Sequence, residues 1–226
     1  MRWTATSGTG VVRLTVPGRA VAFGRQDAVR PGFEAAVEAA VALGFEPVLR
    51  LAGGRAAVFH EGTVAVSISV AEQRPRETIH ERFVLVAEAL ADAIRSVGSV
   101  AVIGELPGEY CPGRYSIHDG AHKVAGIGQR LGRSSAHVGG VVVVEDSGLI
   151  NEVLIPIYEH LDYDWDPRTT GAVSTTKATN PIGMIDAIAD ALGARDWDLG
   201  ERALPPEVVD EASANAAAHT LGDTLA

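Results

Sequence analysis

Apolar residues recur along this chain with two periods, and the change from one to the other marks its elements. At 77–98, ETIHERFVLVAEALADAIRSVG sets Ile79, Phe83, Val86, Leu90 and Ile94 three or four residues apart. That spacing gives one apolar face and predicts a long helix, closed by Gly98. PGFEAAVEAAVAL at 31–43 repeats the pattern with Phe33, Val37, Ala40 and Val41, opened by Pro31 and followed by Gly44. Helices are also predicted at 149–161 and 180–193, and the Ala- and Glu-rich residues from Pro205 on predict further helical turns that fray. Short apolar runs bounded by turn residues predict strands. They lie at 11–16 and 19–23 around Pro17-Gly18, at 45–51, and at 56–60 and 63–70 around Glu61-Gly62. Others lie at 99–106, at 114–118 and 122–130 around Asp119-Gly120, and at 136–145. Hairpins outnumber strand–helix–strand units, and no repeat, low-complexity run or linker divides the chain. The expected fold is one α/β (α+β) domain spanning 1–226, a mixed and largely antiparallel sheet flanked by helices.

Composition narrows the setting. With 46% hydrophobic and 21% charged residues the chain is an ordinary globular one, and with 5% aromatics its core must rest on Val, Ile, Leu and Ala. A single cysteine rules out an intramolecular disulfide and suits a reducing, cytoplasmic compartment. MRWTATSGTG has no apolar signal segment and no run approaches the length of a membrane span, so no membrane partner is expected. A formal net charge of −10 argues against nucleic acid, because phosphate affinity comes mainly from Lys and Arg.

Several chemical motifs are absent. GTG at 8–10 lacks the strand and helix of a dinucleotide fingerprint, and no segment fits a phosphate-binding loop or a serine nucleophile elbow. His118 and His122 stand four apart, but a turn between them spoils helical pairing, so they read as polar hairpin residues and no metal site is expected.

Three features remain. In RLAGGRAAVFH, 50–60, the pair Gly53-Gly54 is either a plain turn or a place where backbone N–H groups approach a ligand, flanked by Arg50 and Arg55. In KVAGIGQR, 123–130, Gly126 and Gly128 weaken a strand interior, which points to close approach by a ligand or another backbone. Lys123 opens that strand, where a solvated surface lysine is the default. Cys111, in GEYCPG, is either a small buried hydrophobe or a nucleophile, and Pro112-Gly113 keeps it in a loop. With Asp119-Gly120 as a two-residue turn, Ser116 pairs with Lys123, and chain curvature has to bring Cys111 back toward the lysine.

In this order and spacing the motifs resemble the lipoate-protein ligase and octanoyltransferase family, which has the biotin/lipoate A/B protein ligase fold. That family carries R-x-x-G-G-x-A ahead of a strand, here Arg50, Gly53, Gly54 and Ala56. It then carries K-x-A-G-x-x-Q-R, here Lys123, Ala125, Gly126, Gln129 and Arg130. AFGRQD at 22–27 is similar to the family's G-R-x-Q stretch. The resemblance covers about 10–176 and leaves 177–226 as a helical C-terminal extension. GEYCPG followed by KVAGIGQR, and the 148–161 segment followed by DPRTTGAVS (166–174), look like the cysteine-dependent octanoyl/lipoyl amidotransferase branch. The FHEG end of the glycine segment is instead similar to ATP-using ligases, but Arg55 stands where those have a third glycine. About 50 residues after Thr176 are also too few for their accessory domain.

The resemblance implies an acyltransferase that moves octanoyl or lipoyl to or between lysines of lipoyl carrier domains, or of a glycine-cleavage H-type protein, through a thioester on Cys111. Lys123 would serve the acyl carbonyl, and Arg50, Gly53, Gly54, Arg55, Ala56, Gly126 and Gln129 would contact substrate, with no cofactor required. Two alternatives stay open: a lipoate ligase using ATP and Mg with Cys111 idle, and a non-catalytic acyl- or carrier-binding module. An acidic chain meeting an acidic carrier needs a local basic rim, for which Arg25, Arg50, Arg55, Arg130 and Arg133 are available.

Overall fold

The computed structural model describes residues 1–173, 179–195, 197, 199–200, 202–216 and 219–221; Ser174 and Thr176 of the motif region lie outside them. The strands are β1 (Val11–Thr15), β2 (Ala20–Phe23), β3 (Glu46–Leu49), β4 (Ala57–Phe59), β5 (Thr63–Ala71), β6 (Val102–Ile103), β7 (Ile117–His118), β8 (Lys123–Leu131) and β9 (Ser135–Val143). The helices are α1 (Arg2–Ser7), α2 (Phe33–Ala42), α3 (Ile79–Ser96), α4 (Ser147–His160), α5 (Pro181–Gly193) and α6 (Pro206–Asn215). Six strands form an antiparallel sheet in the order β1-β5-β9-β8-β7-β6. Three form a small sheet, β3-β2-β4, with β2 parallel to β3 and antiparallel to β4.

Two apolar clusters follow from the two periods. β5 alternates, so Val64, Val66 and Ile68 turn to one face of the large sheet, where they meet Val138 and Val142 of β9. The stripe Val86, Leu90 and Ile94 of α3 covers that face together with Met184, Ile188 and Leu192 of α5. Asn180 caps α5 by accepting from the Gly183 N–H at 2.9 Å, and Pro181 occupies its first turn. Pro181–Gly193 thus adds a helix to the core. The second cluster joins Val21, Phe23 and Val58 of the small sheet to α2 and to Ile150, Leu154, Ile157 and Tyr158 of α4.

The largely antiparallel sheet and four long helices are as the pattern predicts, within two residues at each end. Two hairpins are not. β1 and β2 flank Pro17-Gly18 but belong to different sheets, and so do β4 and β5 around Glu61-Gly62. A turn signal fixes a change of direction, not a hydrogen-bonded partner; each of these turns carries the chain from one layer to the other. The strands predicted at 99–106 and 114–118 shrink to two residues each, and α1 is not predicted because RWTATS lacks an apolar stripe. The 119–122 turn holds four residues, closed by the Asp119 N–H donating to the His122 carbonyl, so His118 rather than Ser116 pairs with Lys123. His118 and His122 stay local, to the Gly120 N–H and to Asp119 respectively.

Candidate active site

Between the two sheets lies a cleft of about 630 Å³. Its walls are mainly apolar: Ala22, Ala57 and Phe59 from the small sheet, Ala65 and Val141 from the large one, Ile79 and Phe83 from α3. Gly128 and Gly139 pair across β8 and β9, and a Cβ on Gly128 would stand 3.0 Å from the Gly53 carbonyl oxygen. The close approach expected of this strand is thus made partly by the 50–54 loop itself.

Cys111 and Lys123 meet on the wall of the cleft. The loop from Leu106 folds back on the start of β8, so Lys123 Nζ donates to the carbonyls of Tyr110 (2.9 Å) and Cys111 (2.8 Å). Its side chain is 2% exposed, not solvated as its place at a strand start suggests. Burial lowers the lysine pKa, while Cys111 and Glu109 oppose that shift. Glu109, with no exposed side-chain surface, accepts from Lys123 Nζ at 3.2 Å, from Ser116 Oγ at 2.5 Å and from the Gly113 N–H at 2.9 Å. One buried carboxylate thus ties the lysine to the loop on both sides of Cys111. Sequence reasoning misses it, because an acidic residue two before a cysteine has no periodic signal.

Cys111 itself is partly buried and takes a left-handed backbone conformation, φ 42°, uncommon outside glycine. Such strain persists only where the surroundings impose it and clusters at functional sites. Here Tyr158 of α4 imposes it: its hydroxyl accepts the Cys111 N–H at 3.0 Å and donates to the Ala56 carbonyl at 3.0 Å. The sulfur accepts from the Arg55 N–H at 3.2 Å and from Arg50 Nη2 at 3.4 Å. Arg50 also donates to the Arg55 carbonyl, and its Nε is buried without a partner among the described residues. Gly54 makes this possible, since it has φ 110° and a Cβ there would stand 2.8 Å from Sγ. Gly54→Ala is expected to displace the sulfur from both donors and slow its alkylation by iodoacetamide several-fold; an unchanged rate would show that the 50–55 loop does not hold the thiol.

The other expected residues divide. Gly53 and Gly126 line the cleft, and Lys123 Cε lies 3.2 Å from where a Gly126 Cβ would stand. Gln129 lines it too, but its side chain is bound to α3, donating to the Ile79 carbonyl at 2.8 Å and accepting from Arg82 at 3.0 Å. Ala56 contributes its carbonyl to Tyr158 rather than a contact in the cleft. Arg55 turns its guanidinium onto Tyr163 (4.3 Å to the ring centre), which Arg30 also approaches at 4.1 Å. Tyr163 in turn donates to the buried Asp27 at 2.8 Å, whose pKa burial raises. Arg50 faces inward and is no part of a rim; Arg25 and Arg133 are exposed. Among the described residues no group of three His, Cys, Asp or Glu side chains could hold a metal ion, and no helix is long and apolar enough to cross a membrane.

Fold and cleft define a class: an α/β domain with an apolar cleft lined by a thiol and a buried amine. The chain belongs to the lipoyl protein ligase A/B catalytic domain family, whose model matches residues 2–163. It is 31% identical over 145 residues to an octanoyl-[GcvH]:protein N-octanoyltransferase of Geobacillus kaustophilus, covering 64% of this chain and 51% of that one. A lipoyl-[GcvH]:protein N-lipoyltransferase of Listeria monocytogenes is 27% identical over 119 residues, covering 53% and 43%. The chain spans about half the length of the curated relatives it matches. A solved lipoate-protein ligase A with bound ATP shares the fold, with TM-score 0.76 at 15% identity over 95% of this chain and 84% of that one. A lipoate protein ligase homologue from Thermoplasma acidophilum with bound lipoic acid gives 0.73 at 16% over 93% and 83%.

Proposed function

We propose that this domain transfers an octanoyl or lipoyl group to or between lysines of carrier proteins, through a thioester on Cys111. The observation that carries the reading is the sulfur's position: it takes two N–H donors on the wall of an apolar cleft, beside the carbonyl held by Lys123. The thiolate, not the thiol, is the nucleophile, and a guanidinium and a backbone N–H are what an anionic sulfur requires. The sulfur attacks the acyl carbonyl of the donor, the carbon–nitrogen or carbon–sulfur bond to the donor breaks, and the donor leaves with the thiol's proton. The acceptor lysine amine then attacks the thioester carbonyl, the carbon–sulfur bond breaks, and the amine's proton returns to sulfur. In both steps negative charge develops on the carbonyl oxygen, and the Lys123 ammonium, whose three N–H groups hold Glu109 and the Tyr110 and Cys111 carbonyls, stabilises it by its charge.

The acyl group arrives already joined to a carrier, activated as a thioester or exchangeable as an amide, so no nucleotide is required. Arg55 stands where ATP-using ligases have a third glycine, and its backbone N–H is bound to the Cys111 sulfur, which favours this reading over an ATP-dependent one. The relatives' names support GcvH-type carriers as partners. Arg25, exposed, and Arg30 and Arg55, both over the Tyr163 ring, are the basic groups available to an acidic carrier, and residues 1–226 act as one catalytic unit. The test is incubation with an octanoyl-loaded GcvH-type carrier and no ATP. The protein should gain the mass of one octanoyl group on the peptide containing Cys111; acylation elsewhere, or only with ATP, would defeat the thioester reading.

A further inference from the structure

Asp27 and Glu109 are the two buried acidic side chains among the described residues, and the chemistry above uses only Glu109. Asp27 has no exposed surface. Its Oδ2 accepts the Gly24 N–H at 2.6 Å and its Oδ1 accepts the Tyr163 hydroxyl at 2.8 Å. Burial works against the carboxylate and raises its pKa, while these two bonds oppose the shift. Closing the 24–27 turn does not call for such burial, because an exposed Asp or Asn closes a turn equally well. The second bond, to a residue far along the chain, sets Asp27 apart from an ordinary turn residue.

Its two donors belong to the two segments that hold the thiol. Gly24 follows β2 and lies backbone against backbone on the 50–55 loop. A Cβ on Gly24 would stand 1.8 Å from the Gly54 carbonyl oxygen, and the Arg50 N–H donates to the Phe23 carbonyl at 2.9 Å. From that loop the Arg55 N–H and Arg50 Nη2 reach Sγ. Tyr163 follows α4, where its N–H donates to the Tyr158 carbonyl at 3.0 Å and its ring lies 5.3 Å from that of Tyr158. Tyr158 is the residue that accepts the Cys111 N–H. The Tyr163 ring also carries the Arg55 guanidinium at 4.3 Å. One segment thus supplies the donors to the sulfur and the other fixes the cysteine backbone. The Tyr158–Ala56 bond joins the two once, and Asp27 joins them a second time.

We propose that Asp27 and Tyr163 are positioning residues for the thiol, holding the 50–55 loop and the end of α4 at the separation that keeps Sγ within reach of both its donors. Neither residue touches the sulfur. They act through Gly24 and Gly54 on one side and through Tyr158 on the other, and they act by their bonds rather than by the charge. A reacting group displaced by about 1 Å loses on the order of a hundredfold in rate, so a tie at this distance from the chemistry is felt in it. What the position serves rests on the thioester reading; the position itself does not.

Tyr163→Phe tests this by removing the hydroxyl and keeping the ring under Arg55. The measurement is Cys111 acylation in the full chain, without ATP, from an octanoyl-loaded GcvH-type carrier. The limiting rate should fall about tenfold while the half-saturating carrier concentration stays within about twofold, since position and not docking is lost. Alkylation of Cys111 by iodoacetamide should slow several-fold in the same variant. Asp27→Asn removes the charge and keeps both bonds, its oxygen accepting from Gly24 and its Nδ2 donating to the Tyr163 oxygen. It should hold both rates within about twofold of the parent. Asp27→Asn combined with Tyr163→Phe lacks the tie without burying a charge; it should be as slow as Tyr163→Phe and replaces it should that variant fail to fold. Parental acylation and alkylation rates in a folded variant without the tie would leave the pair a purely architectural role and overturn the proposal. An Asp27→Asn variant as slow as Tyr163→Phe would also overturn it, by assigning the effect to the charge. If the carrier does not mark Cys111 in the unaltered protein, the transfer reading falls separately. The alkylation rates then decide: slowed in Tyr163→Phe and kept in Asp27→Asn upholds the tie, and any other pattern refutes it.

Discussion

Cys111→Ala is expected to take no acyl group from a loaded carrier and to lose transfer by at least about a thousandfold, as removal of a covalent nucleophile does elsewhere. The fold should survive. Alanine tolerates the left-handed conformation no worse than cysteine does, and the Tyr158 bond is to the backbone N–H, which the substitution keeps. The melting temperature should therefore stay within about 4 °C of the unaltered protein. Cys111→Ser should transfer far more slowly than the parent, because a hydroxyl in the same two-donor setting has no comparably accessible anion. The three functional readings part here. Full activity of Cys111→Ala that requires ATP and free lipoate would establish the ligase reading, in which the thiol is idle. An unaltered protein that acylates no acceptor from either donor, yet binds carrier or free acid, would be the binding module.

The elements that carry this site differ in how openly the sequence announces them. α3 is plain from Ile79, Phe83, Val86, Leu90 and Ile94, because a stripe buried against a sheet must repeat with the helical period. β8 and β9 are plain from their apolar runs, and Gly53, Gly54, Gly126 and Lys123 from motif spacing. The partners of those residues are not, because they come from segments far apart in the chain. Tyr158 reaches Cys111 and Ala56 from the interior of α4, and Glu109 closes on Lys123 only once the 106–113 loop has folded over β8. Arg50 reads as a rim residue until Gly54, at φ 110°, clears space for its guanidinium beside the sulfur. Local pattern sets elements and their faces; loops that fold back set the chemistry.

Lys123→Ala should cut transfer by about a hundredfold or more, since a cation fixed beside a developing oxyanion has that worth. The structure adds a second effect that a solvated lysine would not have. Glu109 keeps Ser116 and the Gly113 N–H but loses its cation in a place with no exposed side-chain surface. Breaking one side of a buried ion pair costs about 3–5 kcal/mol, so Lys123→Ala lowers stability as well as rate, and its loss of activity alone decides nothing. Lys123→Met combined with Glu109→Gln separates the two. It removes both charges together and keeps the volumes, a change that is often neutral for stability. The amide oxygen that replaces the carboxylate still accepts from Ser116 and the Gly113 N–H. The double variant should unfold in urea near the parent's midpoint and yet transfer no faster than Lys123→Ala. Glu109→Gln alone should fall between, because the ammonium keeps the Tyr110 and Cys111 carbonyls but loses the carboxylate that fixes its position. Transfer at the parent's rate by the double variant, with its fold intact, would assign Lys123 to the architecture of the loop and remove it from the chemistry.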